Sequence, residues 1–443
     1  MEAFPDATLL QRTHVEKDQV RFKAFDSLVV IAAVLGAALF AFIMTFSYLG
    51  AFLDPDGNIR GVPFALVNED EGAVVAGQAF NFGQEVVAEV TSPMSELGDR
   101  VDWTMLSTRE EAAARIHDDR SYAAIVIPAD FSTRLVQIVI PGTSSPAAAE
   151  IEVLTNPAAG AFAGVASQQL VTGIVDRVSE TAQQRLLQTA TSVGLTIPPQ
   201  SAVAMSEPVQ QKVTVEAPIG LKTGRGMAPF YFALMMMLAG YLGAIAISFS
   251  VDFQAGVRDL VVFSRRVSRP SRQLSVFRLW FTKVPLVVMM AALAGALQTW
   301  MAVGLLDMPA PHPVRLALFA ALGILAIAMT TLVLLTALGE TGITVALLLT
   351  TIFGVPSAGG VYPIEMLPRF FRFLARLLPL RYMTDGARAL LFFDARGTAG
   401  LTRALVVLSI YATGALVLGG LVAFAIDRVL GRRANRASFP RTP

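Results

Sequence analysis

One apolar segment near the N-terminus is followed by about 175 polar and charged residues, and then by five further apolar segments. Crossing a hydrocarbon core of about 30 Å takes roughly 20 mostly apolar residues. The pattern therefore confines the chain to an α-helical membrane protein of one plus five spans, with a large domain inserted on a single side. The candidate spans lie at 27–50, 227–249, 284–305, 316–338, 341–355 and 404–426. The fifth is diluted by Thr344, Thr350, Thr351 and Pro356. The first exceeds a signal-peptide core and has no small-residue cleavage site after it, so it is expected to stay as an anchor.

Composition agrees: 54% hydrophobic and 16% charged residues, with a mean hydropathy of +0.58, exclude an ordinary soluble domain. The reading divides the chain into a tail with room for an elbow helix (1–26), the first span (27–50) and an inserted domain (51–226). A five-helix domain (227–426) and a basic tail (427–443) complete it. Within the five-helix domain lie a loop at 250–283 and an amphipathic segment at 357–403.

Lys and Arg in short loops mark the cytoplasmic side. They gather in the N-terminal tail (Arg12, Lys17, Arg21, Lys23), in the 250–283 loop (Arg258, Arg265, Arg266, Arg269, Arg272, Arg278, Lys283) and in the C-terminal tail (Arg428, Arg432, Arg433, Arg436). Both termini are thus expected inside a plasma membrane, and the inserted domain, with 21 acidic against 11 basic residues, outside. Arg369, Arg372, Arg376, Arg381, Arg388 and Arg396 break the rule, since the count places them outside. The spacing resolves this by predicting an amphipathic helix over 366–377, with Arg369, Arg372 and Arg376 on one face and Phe370, Phe373, Leu374 and Leu377 on the other. Such a helix lies in the interface or re-enters it.

The inserted domain reads as mixed α/β. Strand patterns at 62–67, 101–105, 122–127 and 151–154 alternate with helical patterns near 78–90, 108–118 and 129–139. Ser107 and Glu110 fit a capping box. A long helix is expected over 161–192, with Val165, Leu170, Val171, Ile174, Val178, Ala182 and Leu186 as a packing stripe. After it, an extended segment returns the chain to the membrane.

Enzyme readings fail for want of residues. There is no cysteine, and His14, His117 and His312 are scattered over the topology. No nucleophile elbow, zinc helix or phosphate loop is present; the glycines of 220–226 are expected to be a hinge. Asn68-Glu69-Asp70-Glu71-Gly72 and Asp54-Pro55-Asp56-Gly57-Asn58 fit no complete calcium loop and are expected to be turns. No catalytic, cofactor or metal residues are assigned. The expected span interiors contain no ionisable residue, which disfavours ion coupling. Met235, Met236, Met237, Met289 and Met290, with Gln298, are candidates for an adaptable apolar path, although a lipid-facing or packing role is favoured for any single methionine.

Three stretches carry a resemblance. Ala65-Leu66-Val67-Asn68-Glu69-Asp70-Glu71-Gly72-Ala73 and Tyr122 to Ser132, through Ile127-Pro128-Ala129-Asp130-Phe131, are two; the third is Pro363-Ile364-Glu365-Met366-Leu367-Pro368, continuing to Leu378-Pro379-Leu380-Arg381-Tyr382 and Ala387-Arg388. Together they resemble type-2 ABC exporter permeases with a large external insert, the subgroup that includes YhgE/Pip phage-infection-protein relatives. The resemblance implies a six-span half-transporter that forms a homodimer or heterodimer. It also implies a separate cytoplasmic ATP-hydrolysing subunit, with ATP bound there, that drives an amphiphilic, lipid-like or drug-like substrate outward. No nucleic-acid partner is expected. By the same resemblance, Pro363, Pro368, Arg369, Arg372, Pro379 and Arg381 belong to a re-entrant segment. A coupling helix matches 255–263, with Asp259, Arg265, Arg266 and Pro270 in the ATPase-coupling loop. The charged pair common at its start is replaced here by Asp252-Phe253-Gln254, which leaves simple membrane-surface binding by the basic loop open. A non-transporting receptor or secretion scaffold, whose outer domain binds a protein, is the alternative function.

Overall fold

The computed structural model describes residues 27–75, 78–92, 98–140, 147–193, 199–256, 260–262, 265–267 and 275–437. Five strands, β1 (Val62–Asn68), β2 (Val101–Leu106), β3 (Ala123–Ile127), β4 (Ala149–Thr155) and β5 (Val209–Val215), form one sheet in the order β2-β1-β3-β4-β5. β1 pairs in parallel with both β2 and β3, β3 with β4 antiparallel, and β4 with β5 in parallel. The central strands are near-continuous apolar runs because both of their faces are covered. Phe64, Leu66, Ile125 and Ile127 face a layer made by α2 (Phe82–Val90), α4 (Phe131–Gln137) and the 33-residue α5 (Ala161–Val193). Alternate residues Ala65, Val67, Ala124 and Val126 face the other way, onto α3 (Arg109–His117) and onto Ala389, Phe393 and Ala399 from the C-terminal half of the chain. One core thus joins the sheet to the helical part.

The turn after β1 organises the helix starts. Asp70 accepts hydrogen bonds from the amides of Gly83 (3.0 Å) and Ser132 (2.9 Å) and from the Ser132 hydroxyl (2.5 Å), while that hydroxyl accepts from the Phe82 amide (2.8 Å). Glu69 accepts from the Arg109 amide (3.1 Å). Two adjacent carboxylates therefore satisfy amide donors at the start of α2, α3 and α4, where orphan N–H groups and the helix dipole favour negative charge. Beneath α3, Arg109 bonds Glu152 through two nitrogens (2.8 and 3.0 Å) and Glu216 (2.6 Å). The capping residue of α3 is Thr108, whose hydroxyl accepts from the Glu111 amide, with Glu111 bonding the Ser107 amide. The box therefore sits one residue later than the expected Ser107 and Glu110, because Thr108 is the last residue with extended backbone.

Among the described residues, four helices are long and apolar enough to cross a membrane: α6 (Ala228–Gln254), α7 (Val276–Leu305), α8 (Pro313–Leu338) and the helix spanning Gly397–Val429. α1 (Ser27–Phe52) has 26 residues, and α9 (Thr341–Ile352) is a shorter apolar helix. α8 is the central rod, packed against α6, α7 and the last helix. Gly240 and Gly295 allow this closeness: a Cβ on either would come within 2.6 Å of the α8 backbone at Ile324 or Ala321. α6 and α7 run past the expected span edges and bring in a buried pair, Lys283 with Asp252 (2.7 Å), with Lys283 also donating to Ser248 (2.9 Å). At the start of α7, Asp427 accepts from the Val276 and Phe277 amides (2.8 and 2.9 Å).

The expected helix over 366–377 is realised as α10 (Arg369–Leu377), and a second helix, α11 (Pro379–Phe392), follows at once. Pro368 and Pro379 each set a helix start, which is why two short helices replace one. α10 buries Phe371 and Ala375, while Phe370, Phe373 and Leu377 are exposed. Phe46 of α1 meets the rings of Phe370 and Phe371 at 6.1 and 6.3 Å, so α1 docks beside this segment. Leading from α11, a wide turn at Gly397–Leu401 feeds α12 (Thr402–Ala437).

Candidate functional site

Where the sheet meets the helical part, charges converge from both. α3 ends in a Schellman motif: the Asp119 amide donates to Ile116 O and the Arg120 amide to Arg115 O. Asp119 takes the left-handed position of that motif, at φ 51°, where glycine would cost least. Its carboxylate accepts from Asn156 Nδ2 (3.2 Å), and Asn156 also donates to Ser121 O. The next residue along the wall, Tyr122 at the foot of β3, donates its hydroxyl to Glu365 (3.0 Å).

From the other side, α11 presents Arg381, Asp385 and Arg388 on one face, spaced four and three residues apart. Arg388 is 8% exposed. Its Nη1 stands 3.7 Å from Asp119 and 3.6 Å from Asp385, and its Nη2 reaches Gly359 O at 3.4 Å. Arg381 Nε stands 3.6 Å from Asp385, which Arg403 of α12 contacts more closely, at 2.9 Å. The buried Nε atoms of Arg381 and Arg388 make no hydrogen bond among the described residues. These groups line a cavity of ≈ 610 Å³ that Thr398, Thr402, Val406 and Val407 complete. Burial pushes the Asp119 carboxyl up to about 7, against the opposing pull of Arg388. Burial also raises the Tyr122 hydroxyl, with the Glu365 charge adding to the shift.

Of the residues singled out in the sequence, Arg381 lies in this cluster, and Pro363, Pro368 and Pro379 frame the turns and helices that build it. Arg369 and Arg372 sit on α10, away from the cavity wall. Asp119, Tyr122, Glu365, Asp385 and Arg403 were not singled out as site residues. The one local signal was the Arg381, Asp385, Arg388 spacing, while the remaining partners come from sequence-distant segments.

The loop residues divide differently. Asp259 and Pro270 lie outside the described residues; Arg265 and Arg266 lie on a short strand, Arg265–Val267, paired antiparallel with Leu260–Val262. Of the coupling helix expected over 255–263, residues 257–259 and 263 lie outside the described residues; the helix before it ends at Gln254, Gly256 turns to φ 71°, and Leu260–Val262 is strand, with Val261 and Val262 β-branched. The methionines face different surroundings. Met236 is fully buried against Gly323, Met290 packs on Gly243, and Met235 and Met289 are exposed. Gln298 donates to Phe232 O (2.8 Å) and links α7 to α6. The acidic turn at 68–72 is the capping device described above, and Asp54 accepts from the Gly57 amide in a turn. The 220–226 stretch forms a tight connection in which Lys222, Gly224, Arg225 and Gly226 all adopt positive φ. Among the described residues no cluster of three or more His, Asp or Glu could hold a metal.

A profile for a protein of unknown function (DUF3533) matches residues 33–415. Over 105 residues the chain is 28% identical to the uncharacterized protein YhgE of Bacillus subtilis (strain 168), a region that is 24% of this chain and 12% of that protein's length. It is also similar, at 18% identity and a TM-score of 0.23, to a solved domain of a "putative ABC type-2 transporter" from Thermotoga maritima MSB8, covering 36% of this chain and 89% of that domain. The resemblance to YhgE relatives read from the sequence is thus borne out.

Proposed function

This chain belongs to the DUF3533 family of proteins of unknown function, and from that premise together with its architecture we propose that it is the membrane permease subunit of an ABC-type exporter. In this reading it moves an amphiphilic, lipid-like or drug-like molecule outward, with energy from a separate cytoplasmic ATPase. The observation that carries the proposal is the pair α10 and α11, two short proline-started helices placed before the last long apolar helix, the first beside α1 and the second packed against the sheet domain. External re-entrant helices at that position are what the resemblance to type-2 permeases implies. The proposal completes six crossings with α1 and α9, sets both termini in the cytoplasm and the sheet domain outside, and pairs two permease copies. Arg265 and Arg266, on the short ribbon between α6 and α7, are the proposed contact with the ATPase.

The test is a mild-detergent pull-down of the tagged chain from its native membrane, with every retained subunit identified and ATP hydrolysis assayed. A stoichiometric nucleotide-binding subunit, with hydrolysis lost on Arg265→Glu/Arg266→Glu while the chain stays folded and inserted, is the expected result. Repeated recovery of envelope proteins without such a subunit would overturn the export reading in favour of a receptor or scaffold.

A further inference from the structure

Arg388 is an under-bonded cation. A buried guanidinium is costly unless its five N–H donors are met, yet its two carboxylate neighbours stand at 3.6 and 3.7 Å and its Nε has no partner among the described residues. Arg381 repeats the pattern, at 3.6 Å from Asp385 and again with an unpartnered Nε. A cluster serving only to clamp the sheet domain to the helices would close these gaps to normal hydrogen-bond length, as Arg109 does with Glu152 at 2.8 Å. Here both side chains instead line a cavity of ≈ 610 Å³.

We propose that this cavity binds the oxyanion head of an amphiphile, a phosphate ester above all, between Arg381, Arg388 and Arg403. Arginine forks match the geometry of such a head and leave the ammonium-type heads unfavoured. Four arginines line the space, the fourth being Arg120, against Asp119, Glu365 and Asp385. The neutral fraction of a buried Asp119 carboxyl near pH 7 tilts that balance further towards positive. The same cavity ends at Val406 and Val407 on α12, below which Ile410, Val417 and Leu421 continue an exposed apolar strip along one helical face. A head seated by the arginines would leave its tails on that strip. The inference rests on the membrane placement proposed above and does not need the ATPase partner.

The experiment uses the full chain, purified without partners into nanodiscs of equal phosphatidylglycerol and phosphatidylcholine, and reads retained lipid by native mass spectrometry. Preferential retention of phosphatidylglycerol is expected. It should fall about tenfold in Arg388→Gln, and clearly in Arg403→Gln, whose exposed side chain makes misfolding a lesser risk. Excess inorganic phosphate separates the sources: displacement of the lipid identifies the free oxyanion as sufficient, and retention identifies a head held together with its tails. Equal retention of both lipids with no effect of phosphate, or an undiminished preference in a folded Arg403→Gln protein, would overturn the proposal. Because no ATPase enters the assay, loss of this inference leaves the export reading standing, and the reverse also holds.

Discussion

Two places in this molecule gather charge, and they do it in opposite ways. In the sheet domain, Asp70 and Arg109 are bonded to their partners at 2.5–3.0 Å, each by three contacts, and every contact joins two elements of the same fold. At the junction, Arg388 and Arg381 face their carboxylates at 3.6–3.7 Å beside open volume. The first arrangement holds helices and strands in place. The second holds charge without using it up, which is what a binding site requires and a clamp does not.

The largest loss expected from a single substitution breaks the first region. Asp70→Ala strips acceptors from two amides and a hydroxyl at helix starts, and should destabilise the sheet domain by about 3 kcal/mol. Denaturant melts of the full chain, followed by a probe in α2, check this; a loss within experimental scatter would make the network ornamental.

A second effect belongs to the junction alone. The Asp119 carboxyl has a folded pKa of about 7 against an ordinary value of 3.8, so the folded state binds the proton more tightly. Its contribution to stability is therefore fully present below about pH 4 and is lost as pH rises through about 7, with a slope of up to about 1.4 kcal/mol per pH unit. Melting the protein between those limits should show the decline, and Asp119→Asn should flatten it. An identical slope in the variant would remove Asp119 from the account. The smallest effect returns to the sheet domain: Arg109→Lys keeps the charge, loses the fork and should cost about 1 kcal/mol in the same melts. A cost equal to that of Asp70→Ala would erase the distinction between capping and cross-bracing.

What was legible in the sequence was local. β1 and β3 announced themselves as short apolar runs, and α5 by its periodicity, with Leu170, Val171, Ile174, Val178, Ala182 and Leu186 all buried as expected. Val165, read into the same stripe, is 57% exposed because it faces an open groove at the base of α5. β5 read only as extended, since its pairing with β4 joins segments 60 residues apart (Ala149 with Val209) and no local pattern encodes it. The junction was legible in part: the arginines between the fifth and last apolar segments stood out as anomalous. Their partners did not, because Asp119 and Tyr122 are brought there by the sheet and are separated from Arg388 by more than half of the chain. The ribbon at 260–267 shows the opposite failure, where a resemblance suggested helix and the β-branched residues themselves favoured strand.

α5 has 33 residues and so extends about 50 Å. Its first turn sits at the junction, where the Phe162 ring packs at a tilt of 44° against Tyr362 with centroids 4.8 Å apart, three residues from Glu365. The helix is thus a strut with its foot beside the arginine cavity, held to the sheet by the buried stripe from Leu170 to Leu186. By geometry alone, a tilt of about 5° at the foot would shift the far end by about 4 Å.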